Sequence, residues 1–155
     1  MRGLTWEEFA RASPNIAQFG EAKMREEHSL MYLATLRKDG YPRLHPFTPF
    51  VGSGHMFAFM ESSSPKAQDI IRRQKYAVHS SVSDREGSNG EFAISGTAFL
   101  VTDVSLRNLA IKTCSYKPDE NYLCFEFLVE RAMRNEYGKG LVKWMTDSQA
   151  KTTHI

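Results

Sequence analysis

The stretch "LMYLATLRKDGYPRLHPFTPF", residues 30–50, constrains the fold more than any other part of the chain. Two β-prone runs flank Asp39-Gly40, a dipeptide that readily adopts the left-handed backbone of a tight hairpin, so the runs pair antiparallel. The second run carries Pro46 and Pro49, and each proline removes a donor from the strand ladder. That run must therefore be an edge strand, bulged or split, and an open edge leaves backbone groups for a ligand or a second subunit. The turn "VGSG" and a third run, "HMFAFME", follow directly. Three strands joined by tight turns predict a meander.

Further along, "KYAVHSSVS", "EFAISGTAFLVTD", "NYLCFEFLVERAMRNEY" and "GLVKWMTD" read as strands, with a polar loop "DREGSNG" after the first. Helix starts are few and well marked. Thr5 and Glu8 form a capping box, and Ser13-Pro14 restarts a helix, which makes residues 1–28 a helical arm. Ser64-Pro65 opens a second short helix, and Asp103 caps one that runs to about Cys114. The remaining connections are too short for repeated parallel crossovers. The expected architecture is mainly β: a six-stranded antiparallel barrel with N-terminal and peripheral helices, one domain over residues 1–155.

Composition narrows the function classes. The 155 residues carry a net charge of +2 with no Lys/Arg-rich run, so neither general nucleic-acid binding nor an anionic membrane surface is expected. No stretch approaches a membrane span, and "MRGLTWEEFARA" has acids where a signal peptide has an apolar core, so a cytoplasmic location is the expectation. Cys114 and Cys124 lack C-x-x-C spacing and read as reduced thiols. His45, His55 and His79 fall on different strands without metal-ligand spacing. There is no G-x-S-x-G, P-loop or dinucleotide fingerprint, and no side chain stands out as a general acid or base.

One electrostatic misfit remains. Lys66 lies in the first turn of its helix, where free N–H groups already make a positive pole and an acid is the stabilising choice. An anion held by Lys66, the helix N–H groups and the hydroxyls of Ser62, Ser63 and Ser64 would resolve it. On the proline-containing run, period-two alternation places Arg43, His45 and Phe47 on one face and Leu44, Pro46, Thr48 and Phe50 on the other. A strand face with Arg43 and His45 near Lys66 would outline one anion site.

The residues "YLATLRKDGYPRLHPFTPFVGSGHMFAFMESSSPKAQDIIRRQKYAVHSS" and "EFAISGTA" resemble the pyridoxamine 5′-phosphate oxidase-like, FMN-binding split-barrel family, in particular its small bacterial members. The resemblance runs from about Met31 to Asp103. It implies a homodimer with two flavin sites at the subunit interface and a small-molecule substrate. It also implies that Arg43 and Lys66 hold the FMN phosphate with Ser62, Ser63 and Ser64. Phe59 and Met60 then border the isoalloxazine ring, and Leu44, His45 and Thr48 lie on the strand beneath it. Glu91, and with it Trp144, reach the site from the partner subunit. The chemistry implied is oxidoreductase chemistry, moving hydride or electrons between a nicotinamide or other donor and a small acceptor.

Two departures separate the chain from the oxidase proper. Pro65 stands where the oxidase has a second basic residue, and "RAMRNEYGKGLVKWMTDSQ" lacks the R-x-H pair that holds pyridoxal phosphate, His154 lying in the tail. The oxidase's own reaction is therefore not expected. A non-catalytic flavin-binding or sensing module, a deazaflavin binder, or a haem binder using His45 or His79 are the alternative readings of the same fold.

Overall fold

The computed structural model describes residues 3–26 and 30–146, so His154 and parts of the expected arm fall outside the described residues. Two helices lead. α1 (Trp6–Ala12) opens on Thr5, whose hydroxyl accepts from the Glu8 N–H while the Glu8 side chain accepts from the Thr5 N–H. α2 (Pro14–Arg25) starts at the expected proline. Then come β1 (Met31–Leu36), β2 (Pro42–Phe47), β3 (Phe50–Gly52) and β4 (His55–Glu61), followed by α3 (Pro65–Arg73) and β5 (Lys75–Ser80). β6 (Glu91–Leu100), α4 (Val104–Thr113), β7 (Tyr122–Glu136) and β8 (Gly140–Met145) complete the chain.

β1 and β2 form the expected hairpin, with Gly40 at φ 88° in the turn. The third run departs from the meander. The strand order is β2-β1-β5-β6-β7-β4-β3, with β8 also on β7, so β2 and β4 do not pair. Pro46 and Pro49 account for this, because the chain leaves the β1 ladder after Phe47 and re-enters the sheet at Phe50 on the opposite edge. Three Cα steps span at most roughly 11 Å. The two edges are thus held close and the antiparallel sheet curls into a split barrel, with eight strands rather than the expected six. The extra strands are the short edge piece β3 and the terminal β8.

The barrel interior holds Met31, Leu33, Phe47, Phe92, Phe125 and Phe127, which α1 and α2 close from one end with Trp6, Phe9 and Ile16. Gly20 on α2 lies against the Phe92 ring, where a Cβ would collide. α3 contributes Ala67 and Ile70 to the same core. A second, smaller cluster forms on the other face of the sheet, where Phe57, Phe59, Val101 and Cys124 pack with Ala110 and Leu106 of α4. No helix among the described residues is long and apolar enough to cross a membrane.

Candidate functional site around the start of α3

α3 and α4 begin differently. Asp103 caps α4 with a carboxylate that accepts from the Leu106 N–H at 3.0 Å, so that positive end already faces an acid. α3 has only the Ser64 hydroxyl, accepting from the Ala67 N–H at 3.3 Å, and no acid in its first turn. Gln68 Nε2 donates to the Ser62 carbonyl at 2.8 Å, which fixes the serine loop over the helix start.

β2 brings the partners. Arg43 and His45 sit opposite Thr35 and Leu33 on the barrel-facing side, both half-buried, beside half-buried Lys66. Burial, then the charges of Lys66 and Arg43, hold the His45 imidazole below its ordinary pKa, while Asp69 pulls the other way. The ring is therefore neutral at pH 7. Its Nε2 is buried without a hydrogen-bond partner. The juxtaposition of Arg43, His45 and Lys66 arises because α3 folds back over the edge of the sheet, not through a β2–β4 pairing.

Asp69 was not singled out by sequence reasoning. It is 3% exposed, accepts from Arg43 Nε at 2.7 Å and from the Thr35 hydroxyl at 2.8 Å, and pairs with Arg72 at 3.4 Å. Burial opposes its ionisation, but hydrogen bonds from Arg43 and Thr35 and the Arg43 charge prevail and hold the carboxyl below the usual carboxylate range. The available signal was an acid adjacent to Ile70 on the barrel-facing side of α3, a position that demands a cationic partner.

The other expected residues fall in three places. Leu44 lines an apolar cavity of about 470 Å³ on the outer face of the sheet, together with Tyr32, His79, Met133 and Lys143, while Trp144 only borders it, sitting opposite Ala132 on the barrel side with its ring 5.0 Å from that of Phe9. His79 Nδ1 is 2.6 Å from the Ser80 carbonyl, which fixes Nδ1 as the donor and leaves Nε2 toward the cavity rim, 3.9 Å from Glu91 Oε1. Glu91 Oε2 accepts from Asn135 Nδ2 at 3.2 Å. Phe59 packs under α4 and Met60 in the barrel, both buried, so only their backbone can border a ligand. Thr48 lines a separate cavity of about 490 Å³ with Tyr116, whose phenol burial pushes up to about 12. Cys114 and Cys124 are free thiols, and burial pushes the Cys124 thiol up to about 12. Among the described residues no group of three His, Cys, Asp or Glu side chains is placed to hold a metal.

No family model and no curated protein matches the chain. Solved structures do. A protein related to general stress protein 26 from Clostridium acetobutylicum, of the pyridoxinephosphate oxidase family, superposes with a TM-score of 0.58 at 14% identity over 92% of this chain and 97% of that one. A putative pyridoxamine 5′-phosphate oxidase from Listeria innocua gives 0.56 at 16% identity over 73% and 92%. The fold is the pyridoxamine 5′-phosphate oxidase-like split barrel. A heme binding protein from Mycobacterium smegmatis has this split-barrel fold too, with a TM-score of 0.64 at 13% identity over 86% of this chain. This chain spans 60% of that protein's length.

Proposed function

We propose that the chain binds FMN as a homodimer and works as a flavin-dependent oxidoreductase, moving hydride or electrons between a nicotinamide or other donor and a small acceptor. The observation that carries this reading is the buried, unpartnered Nε2 of His45 beside Lys66 and Arg43, next to a helix start without an acid. A phosphate monoester fits that donor set: it offers oxygens to Nε2–H, to the ammonium, to the N–H groups of the first turn and to the hydroxyls of Ser62, Ser63 and Ser64. Arg43 adds charge from behind while Asp69 keeps its Nε edge in place.

Once anchored, the flavin supplies the redox chemistry. The protein's part is to hold the phosphate, to present the backbone of Phe59 and Met60 along the ring, and to exclude water with an apolar wall. Leu44 on the outer sheet face would supply part of that wall, and a second copy laid on this face would bring its Glu91 toward its neighbour's ring, whereas Trp144 packs on the barrel side against Phe9. The absorbance spectrum of the purified protein tests the reading, followed by anaerobic addition of NADH or NADPH. Flavin bands that bleach with either donor support it. Flavin bands that resist every donor favour a storage or sensing role.

A second reading has its own observation. His79 has Nδ1 committed to the Ser80 carbonyl and Nε2 at the rim of an apolar cavity, an arrangement that suits an axial haem ligand. The fold likeness to a haem-binding protein adds support. A Soret band abolished by His79→Ala would favour haem over flavin.

A further inference from the structure

α3 carries the polar side chains of Gln68, Asp69 and Arg72 on one stripe at helical spacing with Pro65; the stripe faces the β1–β2 turn, and Lys66 does not line it. Between stripe and turn is a groove of about 430 Å³, also lined by Arg37, Lys38, Asp39 and Arg43. Four cationic side chains thus meet two carboxylates, and both carboxylates are already engaged. Asp39 pairs with Arg37 at 3.1 Å and accepts from the Tyr41 N–H. Asp69, buried at the base, holds Arg43 and Arg72.

The consequence is a preorganised cationic wall. A guanidinium held through one edge keeps the other donors for a second acceptor, and a buried carboxylate fixes the direction in which two of them point. Arg73 Nη2 donates to the Lys38 carbonyl at 3.0 Å, which ties the turn to the helix and sets the groove's width. Lys38 is exposed, and its ammonium meets no carboxylate among the described residues. We propose that this groove is a second anion site, adjoining the helix start and sharing Arg43 with it, that takes a diphosphate group spanning Lys38, Arg72 and the outer edge of Arg43. The site goes beyond the flavin reading and stands without it.

Calorimetric titration of the full chain with inorganic pyrophosphate at low salt tests this, using wild type, the double variant Lys38→Ala/Arg72→Gln, and Lys66→Ala. Pyrophosphate should still bind the groove in Lys66→Ala, and the double variant should lose about tenfold or more in affinity, the scale of one or two charge-assisted hydrogen bonds. Titration with ADP distinguishes the source: equal affinity indicates a free diphosphate and tighter ADP a nucleoside diphosphate. Silence with pyrophosphate, equal affinity in the double variant, or a loss confined to Lys66→Ala would overturn the proposal. Parallel FMN titrations separate the two readings: where the flavin reading holds, the double variant should bind FMN as wild type does, and where it fails, neither binds FMN while the pyrophosphate result stands.

Discussion

The two halves of the sheet's outer face are built from similar strands and end differently. Over β3, β4 and the first half of β7, α4 lies on Phe57, Phe59 and Cys124 and closes a small core. Over the outer side of β1, β2 and β5 no described helix lies, and Tyr32 and Leu44 remain 39% and 68% exposed around an apolar cavity. An apolar strand face left without its own helix is where a ligand or a second subunit is accommodated. The covered half therefore serves stability, and the uncovered half is the one to which the proposed function assigns recognition.

Substitutions should divide along that line. Phe57→Ala, removing a fully buried ring under α4, should cost about 3–5 kcal/mol in urea unfolding, the range for large-to-small core changes. An effect below about 1 kcal/mol there would mean that α4 does not close a real core.

Asp69→Ala should cost about 1–3 kcal/mol, because it strips a buried acceptor from Thr35 and Arg43 while leaving the half-exposed guanidinium partly hydrated. The sign with pH follows from its depressed carboxyl. The folded state binds the proton less readily than the unfolded chain does, so the stabilisation is whole above the unfolded value near 4 and is lost as pH falls through the folded value. Acid titration of the unfolding free energy should show this loss in wild type and not in Asp69→Ala.

His45 gives a finer readout of the same region. Its pKa lies below the ordinary 6.5, so the fold favours the neutral ring, and this stabilisation declines as pH drops from 6.5 through the folded value. Lys66→Ala should raise the His45 value, as followed by NMR of the imidazole. A phosphate bound beside Lys66 should raise it as well, so anion affinity should grow as pH falls across this window. A His45 titration indifferent to both would separate it from Lys66.

The smallest effect on stability belongs to the open half. Leu44→Ala should change the unfolding free energy by less than about 0.5 kcal/mol, since its side chain meets solvent. Sedimentation should nonetheless show weaker self-association if a second copy covers this face.

How much of this was legible in the sequence depended on how local the signal was. The Asp39-Gly40 turn, the Thr5–Glu8 capping box, the Ser64-Pro65 start and the Asp103 cap are set by neighbours in the chain, and each lies where its pattern indicates. The two prolines marked a split edge correctly, but not that the chain would cross from one edge of the sheet to the other. That crossing depends on which strands fill the space between, β5, β6 and β7, and these pairings are long-range. Alternation placed Leu44 and His45 on opposite faces of β2, as found. Asp69 escaped notice because its partners, Thr35 and Arg43, come from strands far away in sequence.

Flavin anchoring on α3 is tested most directly by FMN titration, read as quenching of flavin fluorescence, in wild type and Lys66→Ala at equal folded stability. Loss of a charge-assisted contact to the phosphate should weaken binding by about tenfold or more. Equal affinity in both proteins, or no binding by wild type, would contradict the assignment of the helix start as the cofactor's phosphate site.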